Sequence, residues 1–392
     1  MDLDFLIYKR FKSKMNKKSS SFLMYLTANF KELSIFVSKT QPMSHSITKI
    51  CEDFIPELNQ AIGNQSAESI FVLTDQNTQE FCLPILLRSE KLKGCHVICI
   101  PSGDENKNID SAVAIWKYLS EHGATRKSLL ISLGGGVITD IGGFTASTFK
   151  RGMRYINVST TLLGAVDAAT GGKTGINFLG LKNEIGIFAP AETVLIDIEF
   201  FKTLDAANIR SGYAEMIKHA MIDTRDEWEN VLKYDLEKID FVELKGLLAK
   251  SIRIKERIVE QDPFEANIRK ALNLGHTFGH AFESWSYKTQ KPALHGYAVM
   301  WGLLCELYLS FIKLGFPKDE LLRFKYLTKE YYGIFEFSCK EYESLFELMT
   351  HDKKNDSKEI NFTLLADIGD IRINQTATKD EIFECFDFFR EG

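Results

Sequence analysis

Short apolar runs alternate with helical patterns through the first half of the chain. Between the second and third runs, apolar residues recur at i, i+3, i+4 and i+7 from Ala112 to Leu119, which predicts one buried helix face. Because strands that alternate with helices form crossover units, the pattern predicts a parallel sheet. The predicted strands cover residues 70–73, 97–100, 129–133, 155–158 and 194–196.

After about residue 200 the pattern changes to long segments with helical spacing, and β-branched runs almost vanish. Phe278, Ala281 and Phe282, for example, fall on one helix face. We therefore predict two closely packed domains with a ligand cleft between them. The first is an α/β domain over residues 46–200, and the second is a mostly α-helical domain over residues 201–392.

The composition restricts the classes of protein to which the chain can belong. Its 392 residues are enough for two hydrophobic cores, and a formal net charge of -5 gives no general attraction for nucleic acid. No run of about 18 apolar residues predicts a membrane-spanning segment. Residues 1–45 begin with a basic stretch that lacks the apolar core of a secretory signal, so they are predicted to be an extension of unknown role. Seven scattered cysteines without a C-x-x-C pair indicate reduced thiols, and we expect a soluble cytoplasmic enzyme with a small-molecule substrate.

A glycine triplet, Gly134, Gly135 and Gly136, follows the third predicted strand and precedes Asp140. Glycines at this position let the backbone approach a pyrophosphate, whose charge is stabilised by the N-terminus of the following helix. The sequence therefore predicts a dinucleotide site. A tight turn between strand and helix is the alternative, because a glycine triplet alone is a weak signal.

Two lysines are candidates for binding an anionic substrate. Lys173 lies in G-G-K-T-G-I-N at 171–177, whose spacing is not that of a nucleotide-binding P-loop. A fixed ammonium beside flexible backbone suits a phosphate or a carboxylate. Lys218 shares a predicted helix face with Glu215 and His219, for which an exposed ion pair is the alternative interpretation.

Histidines in the second half form a candidate metal site. His276, His280 and His295 lie within twenty positions, each beside a glycine. His276 and His280 have the i, i+4 spacing that can chelate one metal, but Thr277 stands where metalloprotease helices carry a catalytic glutamate. Glu215 would complete a His/His/carboxylate set with open coordination positions for substrate oxygens.

Eight short motifs follow one another along the chain, and their number and order are more informative than any single residue. They are G-G-G-V-I-T-D at 134–140, F-K-R-G at 149–152, T-T-L-L at 160–163, G-G-K-T-G-I-N at 171–177, A-E-M-I-K at 214–218, L-N-L-G-H-T-F-G-H at 272–280, L-H-G at 294–296 and H-D-K-K-N at 351–355. In these motifs the chain resembles the 3-dehydroquinate synthases of the sugar phosphate cyclase superfamily. The resemblance implies a Rossmann-like NAD-binding domain followed by a helical domain that binds metal and substrate.

The resemblance also implies a role for each site residue. Glu215, His276 and His295 would bind Zn²⁺ or Co²⁺, and His280 would be a proton shuttle near the substrate rather than a ligand. Arg151 would reach the site of a neighbouring subunit, so a homodimer is expected. The other substrate residues would be Asp167, Lys173, Asn183, Lys218, Lys255, Arg269, Asn273 and Lys353. The NAD residues would be Asp104, Lys107, Gly135, Gly136, Asp140, Thr160, Thr161 and Lys182.

The implied reaction converts 3-deoxy-D-arabino-heptulosonate 7-phosphate to 3-dehydroquinate and phosphate in the shikimate pathway, with NAD used catalytically. Three alternatives remain open: another sugar phosphate cyclase, a metal-dependent polyol dehydrogenase, and a non-catalytic NAD-binding protein. Arg269 and Lys255 argue against a substrate without a carboxylate, because two buried cations would then be unpaired. Tyr297, where the family usually has glutamate, motivates the non-catalytic alternative.

Overall fold

The computed structural model describes residues 46–179, 181–289, 292–350 and 360–391. The predicted extension over residues 1–45 and the predicted substrate residue Lys353 lie outside the described residues. The division at residue 200 stays a prediction.

Ten strands occur in the part of the chain that the structure describes, and six of them form one parallel sheet in the order β1-β8-β5-β4-β2-β3. The five strands predicted from the apolar runs are confirmed. The sheet also contains β1, which the sequence analysis missed because a four-residue strand that includes Lys49 gives no apolar run. The strands are β1 Ile47–Ile50, β2 Ile70–Asp75, β3 His96–Ile100, β4 Leu129–Gly134, β5 Arg154–Ser159, β6 Lys173–Phe178, β7 Leu181–Phe188, β8 Thr193–Ile196, β9 Asn361–Asp367 and β10 Asp370–Thr376.

Helices connect the strands of the sheet and make up most of the second half, as predicted. Those of the first half are α1 Phe54–Ile62, α2 Gln76–Phe81, α3 Leu83–Leu86, α4 Ile109–Glu121, α5 Gly136–Thr148 and α6 Ile198–Phe201, with a π-helical turn at Gly164–Ala168. Those of the second half are α7 Ala206–Met221, α8 Arg225–Leu232, α9 Phe241–Gln261, α10 His276–Lys288, α11 His295–Leu314, α12 Lys318–Tyr332, α13 Tyr342–Thr350 and α14 Lys379–Glu391.

The predicted helix face in the first half is present in α4. Ala112, Ile115 and Leu119 are fully buried, while Trp116 is half-buried and donates its indole N–H to the carbonyl of Thr145 at 3.1 Å. That bond fixes α4 against α5, the helix that follows the glycine triplet. The helical period of the apolar residues was therefore a sufficient signal for this element.

Two antiparallel hairpins were not predicted. The glycine-rich segment around Lys173 forms β6 and pairs with β7, because Thr174 and Ile176 are buried beside α5. The second half is mostly α-helical, as predicted, and its hairpin of β9 and β10 is an addition to that prediction. Phe362 and Leu364 of β9 are buried against α11, where Ser310 accepts a hydrogen bond from the backbone of β9.

Close backbone contact joins the two helices that carry the histidines. A Cβ atom at Gly302 of α11 would lie 2.0 Å from the carbonyl oxygen of Gly275 and 2.5 Å from the nitrogen of Gly279. At the start of α11, a Cβ atom at Gly296 would lie 1.9 Å from the carbonyl oxygen of Ser211 in α7. Glycine is therefore required at both contacts, which bring α7, α10 and α11 together.

Helix α11 is long and apolar enough to cross a membrane by length and composition alone, a property that the sequence analysis did not identify. Its most apolar window is 67% buried inside the protein. The apolar residues of α11 contact α7, α10, α12, α14 and β9, which is the arrangement of a core helix.

Gly302→Ala is expected to lower the free energy of unfolding by about 1–3 kcal/mol, because the new methyl group forces α10 and α11 apart. Urea denaturation followed by circular dichroism measures the change. Gly246→Ala is the control, since nothing lies within 4 Å of its Cβ position in α9. The control should be stabilised by up to about 1 kcal/mol, because alanine favours a helix. Equal stabilities of the two variants would contradict the packing analysis.

Candidate metal and substrate site

Three helices bring one carboxylate and two imidazoles to a single point. Glu215 lies on α7, and His276 and His295 are the first residues of α10 and α11. One ligand atom from each lies within 4.8 Å of the other two. An oxygen of Glu215 is 3.6 Å from Nε2 of His276 and 3.5 Å from Nε2 of His295.

The donor set fits a divalent metal ion. Zn–N and Zn–O bonds of about 2.0–2.2 Å in a tetrahedral arrangement separate the ligand atoms by roughly 3.3–3.6 Å. The separations of 3.5 and 3.6 Å from the Glu215 oxygen lie in this range. Glu215 is completely buried, and its charge is compensated by an ion pair with Lys218.

Each of the two histidines is oriented through its other ring nitrogen. Nδ1 of His276 lies 3.2 Å from the carbonyl oxygen of Leu274, and Nδ1 of His295 lies 3.3 Å from a carboxylate oxygen of Glu283. Because acceptors occupy the Nδ1 side, the Nε2 atoms face Glu215. His280 lies next to this group, with its ring 5.3 Å from the ring of His276.

The electrostatic environment keeps Glu215 ionised. Burial alone would raise its pKa, but Lys218 and the two histidines hold the pKa of Glu215 well below its usual range. Burial opposes protonation of His295, but Glu283 and Glu215 outweigh it and raise the pKa of His295 to about 10. A metal ion that binds here therefore displaces a proton from His295.

A group of buried cations lies beside the metal-binding residues. Lys218, Lys255 and Arg269 are between 1% and 4% exposed. Lys255 forms an ion pair with Asp167 and donates to its backbone carbonyl at 2.5 Å, although burial still lowers the pKa of Lys255.

Arg269 has unused hydrogen-bonding capacity. Its two terminal nitrogens donate to backbone carbonyl oxygens, of Pro263 at 2.6 Å and Gly171 at 3.1 Å. Its Nε is buried and has no hydrogen-bond partner among the described residues. A buried guanidinium in this state suits an anionic ligand.

Glu265 is a site residue that the sequence analysis missed. Its carboxylate forms an ion pair with Lys173 and accepts a hydrogen bond from Nδ2 of Asn273 at 2.6 Å. It therefore joins two predicted substrate residues from different parts of the chain. The left-handed backbone of Glu265, with φ at 60°, is visible only in the structure.

Four of the predicted cofactor residues, Asp104, Lys107, Asp140 and Lys182, make contacts at or next to the loop before α4. The ammonium of Lys107 lies 2.5 Å from Asp140 and 2.5 Å from Oδ1 of Asn183, which was predicted to contact substrate. Lys182 lies 3.4 Å from Asp104 and 2.6 Å from Glu283. These contacts connect the loop, α5 and the β6–β7 hairpin.

The glycine triplet forms a tight turn between β4 and α5. A Cβ atom at Gly135 would lie 2.9 Å from the side chain of Thr161, and one at Gly136 would lie 3.0 Å from Ala168. The backbone N–H of Thr160 donates to the carbonyl of Gly134 at 3.0 Å. Among the residues that the structure describes, no side chain caps the N-terminus of α5, so its first N–H groups can bind a phosphate.

Arg151 takes no part in the hydrogen bonds and ion pairs that are seen among the described site residues. It lies on the exposed turn after α5 with a left-handed backbone, φ at 65°, next to Lys150 at φ 49°. Within the described ranges, no hydrogen bond or ion pair of its side chain is seen.

His219 is buried at the same face of α7 as Glu215. Its Nδ1 lies 2.8 Å from the hydroxyl of Ser251, and its Nε2 has no hydrogen-bond partner in the described part of the chain. Burial first, and then the positive charge of Lys218, lower the pKa of His219 to about 3. This histidine is therefore neutral in the folded protein at physiological pH.

Comparison of the sequence with protein families gives two adjacent matches. The family model for the N-terminal part of 3-dehydroquinate synthase matches residues 97–211, and that for the C-terminal part matches residues 212–355. The 3-dehydroquinate synthase of Parabacteroides distasonis is 50% identical over 350 residues, which are 89% of this chain and 99% of that protein. The 3-dehydroquinate synthase of Pyrococcus furiosus is 40% identical, over 83% of this chain and 93% of that protein.

Solved structures show the same fold. A 2-epi-5-epi-valiolone synthase from Streptomyces hygroscopicus, with NAD⁺ and Zn²⁺ bound, has a TM-score of 0.78 at 23% identity and covers 89% of this chain and 97% of its own. A 2-deoxy-scyllo-inosose synthase complexed with carbaglucose-6-phosphate, NAD⁺ and Co²⁺ has a TM-score of 0.75 at 20% identity, with coverage of 88% and 96%. The predicted α/β domain followed by helices is thus the architecture of these cyclases.

Stability is expected to fall as the pH drops below about 6.5, because the unfolded chain protonates His219 whereas the folded protein does not. Between pH 7 and pH 5 this histidine should account for a loss of about 2 kcal/mol. In His219→Asn that part of the pH dependence should disappear. Urea denaturation of both proteins at the two pH values measures the difference, and parallel losses would refute the assignment.

Proposed function

This chain belongs to the 3-dehydroquinate synthase family, and we propose that the site between α7, α10 and α11 catalyses that family's reaction with NAD and a divalent metal. The substrate is 3-deoxy-D-arabino-heptulosonate 7-phosphate, and the products are 3-dehydroquinate and phosphate, in the shikimate pathway. The observation that carries this proposal is the position of the buried cations beside the convergent residues Glu215, His276 and His295.

The metal would be held by Glu215, His276 and His295, with Zn²⁺ or Co²⁺ as the ion. Such an ion would polarise a substrate oxygen and favour the loss of hydride from the carbon that bears this oxygen. NAD would lie at the glycine turn after β4, contacting Thr160, Thr161 and the group around Asp104, Lys107, Asp140 and Lys182. When bound, NAD would supply reversible hydride transfer, so that the cofactor would end the reaction unchanged.

The side chains of this chain would bind the substrate and move its protons. Lys173, Lys255 and Arg269 supply positive charge for a molecule that carries both a phosphate and a carboxylate. Asn183 and Asn273 provide amide groups, and Asp167 orients Lys255 through their ion pair. His280, beside the metal ligands, is placed to transfer a proton to or from the substrate.

The alternatives fit this site less well. An alcohol without a carboxylate would leave the buried Nε of Arg269 unpaired, and desolvated cations are costly without a counter-charge. This argues against a polyol dehydrogenase and against cyclases whose sugar phosphate substrates lack a carboxylate. Tyr297 packs edge-on against Tyr332, at 5.0 Å between ring centroids, and Glu283 supplies the acceptor for His295. The substitution at Tyr297 therefore does not argue for a non-catalytic protein.

We further propose that the protein is a homodimer in which Arg151 acts in the site of the neighbouring subunit. Arg151 lies on an exposed left-handed turn, and among the described residues its side chain forms no hydrogen bond or ion pair with the residues of its own site. Next to this turn, β7 pairs only with β6 among the described strands, and Ile185, Ile187 and Phe188 are at least 36% exposed. Long apolar edge strands are normally covered, and a second copy of the chain would cover this one.

The cytoplasm is the proposed location. All seven cysteines lie in the described residues and are free, and four of them are buried. Free thiols of this kind are typical of a reducing compartment.

The purified protein is expected to release phosphate from the heptulosonate phosphate when NAD and Zn²⁺ or Co²⁺ are present. His276→Ala should lose bound metal and turnover together, because one of three ligands is removed. Metal analysis and a phosphate assay measure both quantities. His122→Ala, which changes an exposed histidine of another region, should retain both. Full metal content in His276→Ala, or no phosphate release by the metal-loaded parent protein, would refute the proposal.

Arg151→Ala and Lys173→Ala are each expected to be inactive, but a mixed dimer of the two variants should recover activity. In that dimer one site has an intact Lys173 and receives an intact Arg151 from the neighbouring subunit, so about half of the parent activity should return. Co-expression with two different affinity tags allows the mixed dimer to be purified and assayed. An inactive mixed dimer would show that Arg151 acts in its own subunit.

A further inference from the structure

The two helices that carry the metal-binding histidines each receive a buried carboxylate from the other helix. His276 begins α10, and His295 begins α11. Glu283 of α10 contacts His295, and Glu306 of α11 contacts the backbone on both sides of His276. We propose that Glu283 and Glu306 are positioning residues that hold the two histidines ready for the metal ion, an inference that rests on the metal site proposed above.

Glu306 fixes the start of α10. It is completely buried, and its two oxygens accept hydrogen bonds from the backbone N–H of Gly275 at 2.6 Å and of Thr277 at 3.1 Å. Gly275, the residue before the helix, has a left-handed backbone with φ at 81° and no side chain that could cap the helix. Glu306 therefore replaces the missing cap, and its charge is stabilised by the helix N-terminus. Since the two N–H groups flank His276, the backbone of this histidine is held on both sides.

Glu283 fixes the ring of His295. It is 2% exposed, and one of its oxygens lies 3.3 Å from Nδ1 of His295. Its other oxygen accepts a hydrogen bond from Lys182 at 2.6 Å, so the buried charge is compensated. A carboxylate on Nδ1 selects the tautomer whose Nε2 can bind a metal and increases the basicity of that nitrogen.

Because each helix holds the histidine of the other, His276 and His295 are both fixed to the packed pair of helices α10 and α11. The close contact of Gly302 with Gly275 already prevents α10 and α11 from sliding past each other. The two carboxylates add control over the rotation of the His295 ring and the placement of the His276 backbone. The metal ion thus meets preformed ligands and does not have to order them, which increases affinity.

The experiment measures metal binding in the full-length protein. Zn²⁺ affinity is determined by competition with a chromophoric chelator, and the visible absorption spectrum of the Co²⁺-loaded protein reports on the ligand geometry. Glu283→Ala is expected to weaken Zn²⁺ binding about 10- to 100-fold. Glu283→Gln should bind Zn²⁺ better than Glu283→Ala, because an amide oxygen can still accept the Nδ1–H. The Co²⁺ bands of Glu283→Gln should nevertheless shift, since the negative charge is lost.

A second variant tests Glu306. Glu306→Gln keeps one acceptor oxygen and loses the other, so α10 should be less stable at its start and Zn²⁺ binding should weaken at least several-fold. Glu320→Gln is the matched control. Its partly buried carboxylate accepts hydrogen bonds from Trp228 at 2.9 Å and Arg225 at 2.7 Å, and among the described residues it does not contact the metal ligands. This control should lose stability without a change in Zn²⁺ affinity or in the Co²⁺ spectrum.

The outcomes separate this inference from the proposed function. Parent-like Zn²⁺ affinity and Co²⁺ spectra in Glu283→Gln and Glu306→Gln would overturn the inference, whatever the stability of Glu283→Ala. A proportional loss of affinity in the Glu320→Gln control would also overturn it, because a general loss of stability would then explain the effect. If the parent protein itself bound neither Zn²⁺ nor Co²⁺, the metal site of the proposed function would fail instead.

Discussion

The buried carboxylate of Glu215 is the constraint on which the site depends. It has no exposure to solvent, so its charge requires compensation inside the protein. Lys218, one turn further along α7, provides part of it, and a metal ion held by Glu215 and the two histidines, as proposed, would provide the rest. The start of α11, which carries His295, reaches Glu215 because α7 and α11 pack so closely that only a glycine fits at residue 296. The close packing of these helices and the compensation of the buried charge therefore depend on each other at this point of the fold.

Much of the fold could be predicted from the sequence because its strong elements have strong local patterns. The strands β2, β3, β4, β5 and β8 are apolar runs, and α4 has a clear helical period. The elements that were missed have weak local patterns and depend on distant partners. Strand β1 is short and is stabilised by pairing with β8, while β6 looks like a flexible glycine loop until α5 covers Thr174. Tertiary contacts decide such segments, and a local pattern does not contain them.

The site residues also divide into those that a local sequence pattern indicates and those that only distant contacts reveal. Spacing along the chain draws attention to His276 and His280, whereas the resemblance to a known family selects His295, which follows an intervening loop. The structure brings His295 to Glu215, and no rule of local spacing could have indicated that contact. Glu265, Glu283 and Glu306 were overlooked because a glutamate in a helical region is ordinary in sequence. Their burial and their partners, which only the three-dimensional arrangement determines, distinguish them from surface residues.

The carboxylate of Glu265, held between Lys173 and Asn273, has a consequence for how an anionic substrate would bind at these residues. An incoming anion does not meet bare cations there but exchanges with an anion that the protein already provides. The net affinity for the substrate anion would then be the difference between its own interaction with Lys173 and Asn273 and that of the Glu265 carboxylate. It would therefore be smaller than the positive charge of the site suggests. Inorganic anions of the cell would for the same reason bind only weakly. The site would select its ligand by shape and by the number of negative charges.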